Sequence, residues 1–338
     1  MIGFVVLAAL TAAADPFPPT LVAPPPSPTS LGAALACLQG QGGVVARAVD
    51  FSLQMPCPTR LGRQPVWAAL EDVARAVNGR LVLAQHGRQV NLAPLGNRPP
   101  TPSAVAGAFR VAVRQVASRV DFDTGGRFTD VTLDLHWEPR LTVFRVDAQP
   151  AIESVSDDRA SKLVVTTAKA RTPPTGSVHT TTVRVPDVPR SATKITQLAG
   201  TFTVTATDRY LNLRFPELPV GKPASQEQAG VRVTVHPPRK LDDVVEVRVV
   251  LDYPEAHPAF ESFESWTAGN RLRLVSPGGK PVEPTDYATQ EAGRRAVCEY
   301  RFPAAAVGDL KGWSLAYDTP APLREFPVRF ALTDIPLP

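Results

Sequence analysis

The sequence has few cysteines and histidines, two residue types that enzymes often use for chemistry. Its 338 residues include 3 cysteines and 5 histidines, and no H-x-H or H-x-x-x-H pair occurs. A Walker loop, a G-x-G-x-x-G fingerprint and a G-x-S-x-G nucleophile elbow are also missing. These absences argue against a local zinc motif, a phosphate-binding loop and a serine-hydrolase elbow. We therefore predict a protein that is not an enzyme, with no catalytic residue, no metal ligand and no cofactor.

Positive charge is spread along the chain and forms no block. The net charge is +4 and the isoelectric point is about 9.1. Arginines alternate with apolar residues, as in "FRVAVRQVASRV", which is typical of the solvent face of a half-buried strand. Because no basic stretch is interleaved with aromatics, which make up 7% of the chain, we expect no nucleic-acid partner.

The sequence also lacks a hydrophobic run long enough to span a membrane. The N-terminal run from Ile2 to Leu10 is too short, and the alanines at 12–14 resemble an A-x-A cleavage site. We predict a signal peptide at 1–14 and an exported protein of the periplasm or cell envelope, with no stable membrane span after cleavage. The alternative, a buried helix, is opposed by the prolines that follow.

The three cysteines leave the redox state open. Cys37 and Cys57 are a candidate disulfide if the chain reaches an oxidising compartment, and reduced structural thiols are the alternative. Cys298 shares one strand face with Tyr300 and Phe302, so we expect it in a core.

Proline is frequent, with 36 residues, and short alternating segments are separated by glycine, proline and aspartate turns. This pattern favours short strands. We predict a small α+β N-terminal module followed by mainly antiparallel β-sandwich domains, and the number of sandwiches stays open. The predicted division is a signal peptide at 1–14, a proline-rich linker at 15–29, the α+β module at 30–96, a linker at 97–106, a β-sandwich-like domain at 107–238 and a second β-rich domain at 239–338.

The module is expected to run helix, strand, helix, strand, strand. Ser30 can cap the first helix, and Pro65 suits the first turn of the second. Glu71 and Arg75 are spaced for an i,i+4 ion pair on the outer side of that helix. The segments around "QHG" predict a hairpin.

The segments "LGAALACLQGQGGVVARAV" and "QPVWAALEDVARAVNGRLVLAQHGRQVNLAP" resemble the short N-terminal domain of secretins and TonB-dependent signal transducers. The matching positions are Pro65, Val66, Ala69, Leu70, Gly79, Leu81, Val90 and Leu92. The resemblance implies a periplasmic protein–protein contact module. No secretin pore domain or outer-membrane barrel follows, so pore assembly and transport are not implied.

The remaining chain resembles a group of uncharacterised secreted bacterial proteins. The matching segments are "EPRL", residues 138–141, and the C-terminal pattern from Phe330 to Pro338. This resemblance implies an architecture and no activity.

Three residues are candidates for an interaction surface, namely Trp67, Arg75 and Trp266, although Trp67 also belongs to the apolar stripe of its helix. Trp266 is expected in an exposed loop near Glu261 and Glu264. Such a loop could stack on a sugar, alone or with Trp137 and Trp313, although strand alternation favours partial burial of these tryptophans. The two glutamates could also serve a glycosidase, but their spacing is that of an ordinary surface.

Two acidic loops have alternative interpretations. Asp123-Thr124-Gly125 matches half of an aspartic-protease signature, but no second copy occurs, so a turn between strands is expected. Calcium could bind this loop or Asp157-Asp158, but neither has EF-hand spacing, and both suit turn capping.

Together these patterns predict an exported, non-enzymatic envelope protein that acts as a protein–protein interaction or structural module. Another envelope protein would bind to the sheet edge and helix face of the module. The first alternative is a polysaccharide- or cell-wall-binding protein, and the second is a secreted hydrolase.

Overall fold

The computed structural model describes residues 17–23, 29–58, 62–123, 125–255 and 266–338. The predicted signal peptide at 1–14 lies outside these ranges, as do Glu261 and Glu264. The described chain forms a small α+β module followed by antiparallel β-sheets, which confirms the predicted fold class. None of its helices in these ranges is long and apolar enough to cross a membrane.

The N-terminal module packs two helices on a three-stranded sheet. Its order is β3-β7-β6, with β3 parallel and β6 antiparallel to β7. The Ser30 hydroxyl accepts a hydrogen bond from the Ala33 amide, which confirms the predicted helix cap. The elements are β1 (Leu21–Val22), β2 (Thr29–Ser30), α1 (Leu31–Gly42), β3 (Val45–Ala48), β4 (Pro56–Cys57), β5 (Gln64–Pro65), α2 (Val66–Ala76), β6 (Gly79–Ala84) and β7 (Gln89–Pro94).

The first β unit is built from two sheets that share one core. One has the order β15-β10-β9-β8, and the other has the order β13-β12-β16-β11-β14. Alternation directs Val131, Leu133 and Leu135 of β10 into this core. The strands are β8 (Ser103–Ala106), β9 (Phe109–Val120), β10 (Arg127–Trp137), β11 (Thr142–Asp147), β12 (Ala151–Asp157), β13 (Lys162–Leu163), β14 (Arg171–Thr172), β15 (Val178–Pro186) and β16 (Lys194–Thr207).

The second β unit repeats this two-sheet arrangement. Its sheets have the orders β17-β26-β22-β23 and β18-β19-β21-β25-β24, and β20 also pairs with β21. The elements are β17 (Tyr210–Phe215), β18 (Ala224–Gln228), β19 (Val231–Val235), β20 (Arg239–Leu241), β21 (Val244–Asp252), a 3₁₀ helix (Trp266–Gly269), β22 (Arg271–Val275), β23 (Pro281–Val282), β24 (Asp286–Ala292), β25 (Arg295–Pro303), α3 (Ala304–Val307) and β26 (Ser314–Pro320).

The last strand, β27 (Arg324–Pro336), returns to the first β unit. It pairs with β16 from Lys194–Pro336 to Ala206–Arg324, so the second unit is inserted between β16 and β27. The two cores therefore divide after Thr207 and before Arg324, and the predicted boundary at 238/239 does not match this division. Alternation of apolar and polar residues identifies strands but not the strands they pair with. Because strands on both sides of Thr207 have the same pattern, the sequence does not mark the boundary there.

Both predicted linkers are partly built into the fold. Phe17 is 2% exposed in the core of the first β unit, with its ring 5.0 Å from that of Phe326. Val22 is buried in the module core, and β1 pairs with β5. Residues 17–23 thus form a strap between module and β unit. In the second linker, Ser103–Ala106 is strand β8, which pairs antiparallel with β9 at the edge of its sheet.

The "EPRL" segment holds this strap. The buried Glu138 carboxylate accepts hydrogen bonds from the Thr20 amide at 2.9 Å and the Thr20 hydroxyl at 2.6 Å. Arg140 pairs with Glu138 at 2.6 Å and donates to the Pro18 carbonyl. A sequence motif that suggested only an architecture therefore has a defined structural role.

Candidate functional site

The three predicted interaction residues do not form one surface. Trp67 is 1% exposed, and its indole N–H donates to the Ala108 carbonyl at 3.2 Å. Arg75 is exposed and pairs with Asp72. Trp266 is 1% exposed in the core of the second β unit, so the expected exposed loop position was wrong. Its 3₁₀ helix turns the indole inward, a feature that the surrounding polar sequence conceals.

The other predicted sugar-stacking residues are buried as well. Trp137 is 1% exposed and Trp313 is 7% exposed. Asp123 lies at the β9–β10 turn, where its amide donates to the Asp121 carboxylate at 2.9 Å, as expected for turn capping. Thr124 lies outside the described residues.

Cys37 and Cys57 are present as thiols in the structure. Cys57 is fully buried, and the Cys37 sulfur accepts a hydrogen bond from the Gln41 side-chain amide at 3.0 Å. The disulfide between them stays a prediction. Cys298 is buried in the core of the second β unit, as expected.

Helix α2 docks on the first β unit through Glu71. The predicted Glu71–Arg75 pair was wrong, because Glu71 instead accepts from Arg110 Nε at 2.6 Å and from the Ser103 hydroxyl at 2.7 Å. Arg110 is only 2% exposed, so the carboxylate supplies the charge partner that a buried guanidinium requires.

Beside this contact lies a cleft between the module and the first β unit, with a volume of about 720 Å³. One wall is formed by the five consecutive residues Arg80–Ala84 of β6. Neighbouring side chains of a strand point to opposite faces. A cleft lined by all five therefore runs along the edge of β6.

That edge of β6 is unpaired within the described part of the chain. The sheet order β3-β7-β6 leaves β7 as the only strand that pairs with β6 there. An edge strand directs every second N–H and C=O outward, and these groups are available to another strand. The cleft thus contains a row of backbone donors and acceptors.

One end of the cleft is closed by the hairpin tip. The Ser177 amide donates to the His86 carbonyl at 2.9 Å. A Cβ atom on Gly176 would lie 2.3 Å from that carbonyl oxygen, and a Cβ on Gly87 would lie 2.8 Å from the Ser177 carbonyl carbon. Only glycine permits this close approach, so β6 and the first β unit are held at a fixed separation.

The floor of the cleft is the outer face of the β8–β9–β10–β15 sheet. His136 and Asp134 point to this face, opposite the core residues Leu133 and Leu135. Arg110 lies opposite His136, and the Thr180 hydroxyl donates to Asp134 Oδ1 at 2.6 Å. These groups form a polar ladder, which Arg114 extends at 3.8 Å from Asp134.

His136 is a neutral hydrogen-bond donor at neutral pH. It is 2% exposed, and burial lowers its pKa to about 4 despite the nearby Asp134 carboxylate. Arginine only donates, so Arg110 Nη1, 3.3 Å away, makes Nδ1 the acceptor and places the proton on Nε2. With Nδ1 engaged, the ring has no open lone pair for a general base. The floor is therefore suited to recognition by hydrogen bonding.

Sequence reasoning missed this site because its residues look ordinary one at a time. Asp134 and His136 alternate with core leucines, a pattern that indicates a solvent-facing strand face. The described residues contain no group of three or more histidine, cysteine, aspartate or glutamate side chains placed to hold a metal ion.

Comparison of the chain with protein-family models, curated proteins and solved structures finds no match. The resemblance of the module to the secretin and TonB short N-terminal domain stays a prediction.

Proposed function

We propose that the protein binds an extended segment of a partner protein, which adds as a strand to β6 inside the cleft. The observation that carries this proposal is the unpaired edge of Arg80–Ala84 along a cleft of about 720 Å³. Backbone hydrogen bonds to an edge strand supply affinity, and pockets for alternate side chains supply specificity. The protein acts here by binding and not by catalysis.

The proposal revises one part of the sequence-based hypothesis. That hypothesis assigned binding to both the sheet edge and the helix face of the module. Trp67 and Glu71 of α2 already contact the first β unit, so the proposal assigns binding to the sheet edge and not to this part of the helix. The partner would be another envelope protein if the predicted signal peptide directs export.

The alternative of a polysaccharide-binding protein loses its main support. A sugar platform needs an exposed aromatic face. All four tryptophans, Trp67, Trp137, Trp266 and Trp313, are buried at 7% exposure or less. The tryptophans therefore do not support that alternative.

The test is selection of a random phage-displayed peptide library against the full chain. We expect peptides that slow hydrogen exchange at alternate amides of β6. The Ala84→Trp variant fills the cleft and should abolish binding, since Ala84 lines it. Ala288→Trp, on an exposed strand position of the second β unit, should leave binding unchanged. Recovery of no peptide, or equal binding by both variants, would overturn the proposal.

A further inference from the structure

One unsatisfied polar atom, beside a carboxylate, lies on the cleft floor. His136 Nε2 is buried and has no hydrogen-bond partner among the described residues. Its nearest carboxylate oxygen, Asp134 Oδ2, is 3.9 Å away, which is beyond hydrogen-bond length. A buried donor without an acceptor costs free energy of folding. Since this donor lines a cleft, we expect an acceptor group of a bound ligand to pair with it.

The chemistry of the two groups restricts that partner. His136 Nε2 carries a proton and must donate, whereas the Asp134 carboxylate can only accept. A group that bridges them must accept from the first and donate to the second. A hydroxyl does both, and so does a primary amide. A carboxylate lacks the donor, and an ammonium lacks the acceptor.

We propose that the cleft selects a strand that places a serine, threonine, asparagine or glutamine side chain between His136 and Asp134. This inference rests on the proposed function, and it names the side-chain class that the bound strand presents. The pair and β6 line the same cleft, and side chains of an added strand alternate between its faces. One of these side chains then reaches the floor.

Charge supports the same selection. Arg80 and Arg114 also line the cleft and would attract an acidic segment. The Asp134 carboxylate stands at the bridging position itself and repels a second carboxylate there. A neutral side chain is therefore selected at this one position, whereas acidic residues are tolerated elsewhere along the bound strand.

The Asp134→Asn variant tests this selection by a predicted change of specificity. Asparagine keeps an oxygen for the Thr180 hydroxyl and turns an NH₂ group toward His136, so two donors face the cleft. Peptides selected by the wild-type chain should carry Ser, Thr, Asn or Gln at one fixed position. Those selected by Asp134→Asn should carry Asp or Glu there. Asp318→Asn serves as the control, since its side chain is similarly buried at 12% against 14% exposure but lies in the second β unit.

A second measurement leaves the protein unchanged. Replacing the selected Thr by Val in a synthetic peptide should weaken binding to the wild-type chain roughly tenfold, the effect of one lost hydrogen bond with buried groups left unpaired. If the library shows no preference at any position and Val binds as well as Thr, the inference fails. Peptide binding that Ala84→Trp still abolishes would keep the proposed function in that case. Recovery of no peptide would overturn both.

Discussion

The Glu71–Arg110 ion pair is expected to hold the module on the first β unit, and Glu71→Gln tests this directly. The change keeps the side-chain size and one acceptor oxygen but removes the negative charge. Arg110 is 2% exposed, whereas the Glu71 side chain is 21% exposed. Removing one partner of a buried pair costs about 3–5 kcal/mol. Because a neutral acceptor remains and Glu71 is partly exposed to solvent, we expect the free energy of unfolding to fall by about 2 kcal/mol.

The control is the same substitution in an exposed pair. Arg232 and Glu227 lie 3.1 Å apart on the second β unit, with side-chain exposures of 62% and 53%. Exposed pairs contribute less than about 1 kcal/mol, so Glu227→Gln should change stability little.

The assay is urea unfolding combined with native-state hydrogen exchange, which resolves opening of α2 from opening of the second β unit. Glu71→Gln should speed exchange in α2 and in the part of β9 that carries Arg110. A Glu71→Leu/Arg110→Met double variant should be more stable than Glu71→Gln alone, because it leaves no buried charge unpaired. If Glu71→Gln costs no more than Glu227→Gln, the reasoning is refuted and apolar contacts alone hold the interface.

Two further predictions concern the same interface. The pKa of His136, which faces Arg110, Asp134 and Glu71, falls from 6.5 to about 4 on folding, so the unfolded chain binds more protons between these values. Stability should then drop by up to about 3 kcal/mol as pH falls from 6.5 to 4, and a pH series on His136→Phe that keeps the full slope would contradict this. Gly176 and Gly279 both have φ of +79°, but only at Gly176 does a Cβ meet a neighbour. Thermal unfolding should therefore show a larger loss for Gly176→Ala than for Gly279→Ala, whose cost is about 1 kcal/mol, and equal losses would refute the close packing of the hairpin tip.

Sequence reasoning succeeded where the signal lies within a few residues. The Ser30 cap, the apolar stripe of α2 and the hairpin around residues 85–87 each depend on local spacing, and the structure shows all three. The i,i+4 rule failed at Glu71 because Arg110, 39 residues away, is buried and needs a carboxylate. Helical spacing permits a Glu71–Arg75 surface pair worth a few tenths of a kcal/mol. Leaving the buried Arg110 guanidinium without a carboxylate costs more, so Glu71 pairs with Arg110.

The candidate site could not be found this way because it has no local signature. Its wall comes from residues 80–87, its floor from β9, β10 and β15, and further lining from residues 172–175. Strand alternation assigns Asp134 and His136 to a polar face but does not show that a second domain covers part of that face. The contact between the module and the first β unit partly covers these two side chains, and His136 Nε2 is left without a hydrogen-bond partner among the described residues.

The same geometry determines which part of the chain carries the proposed binding site. The module at residues 30–96 contains the β6 edge, but it lacks the floor that carries His136 and Asp134. That floor belongs to a sheet whose core also includes Phe17 from the strap and Phe326 from β27. Both chain ends of the described structure therefore support the floor of the cleft. An isolated module would present an edge strand without this floor, so the proposed recognition of a particular side chain requires the first β unit closed by its last strand.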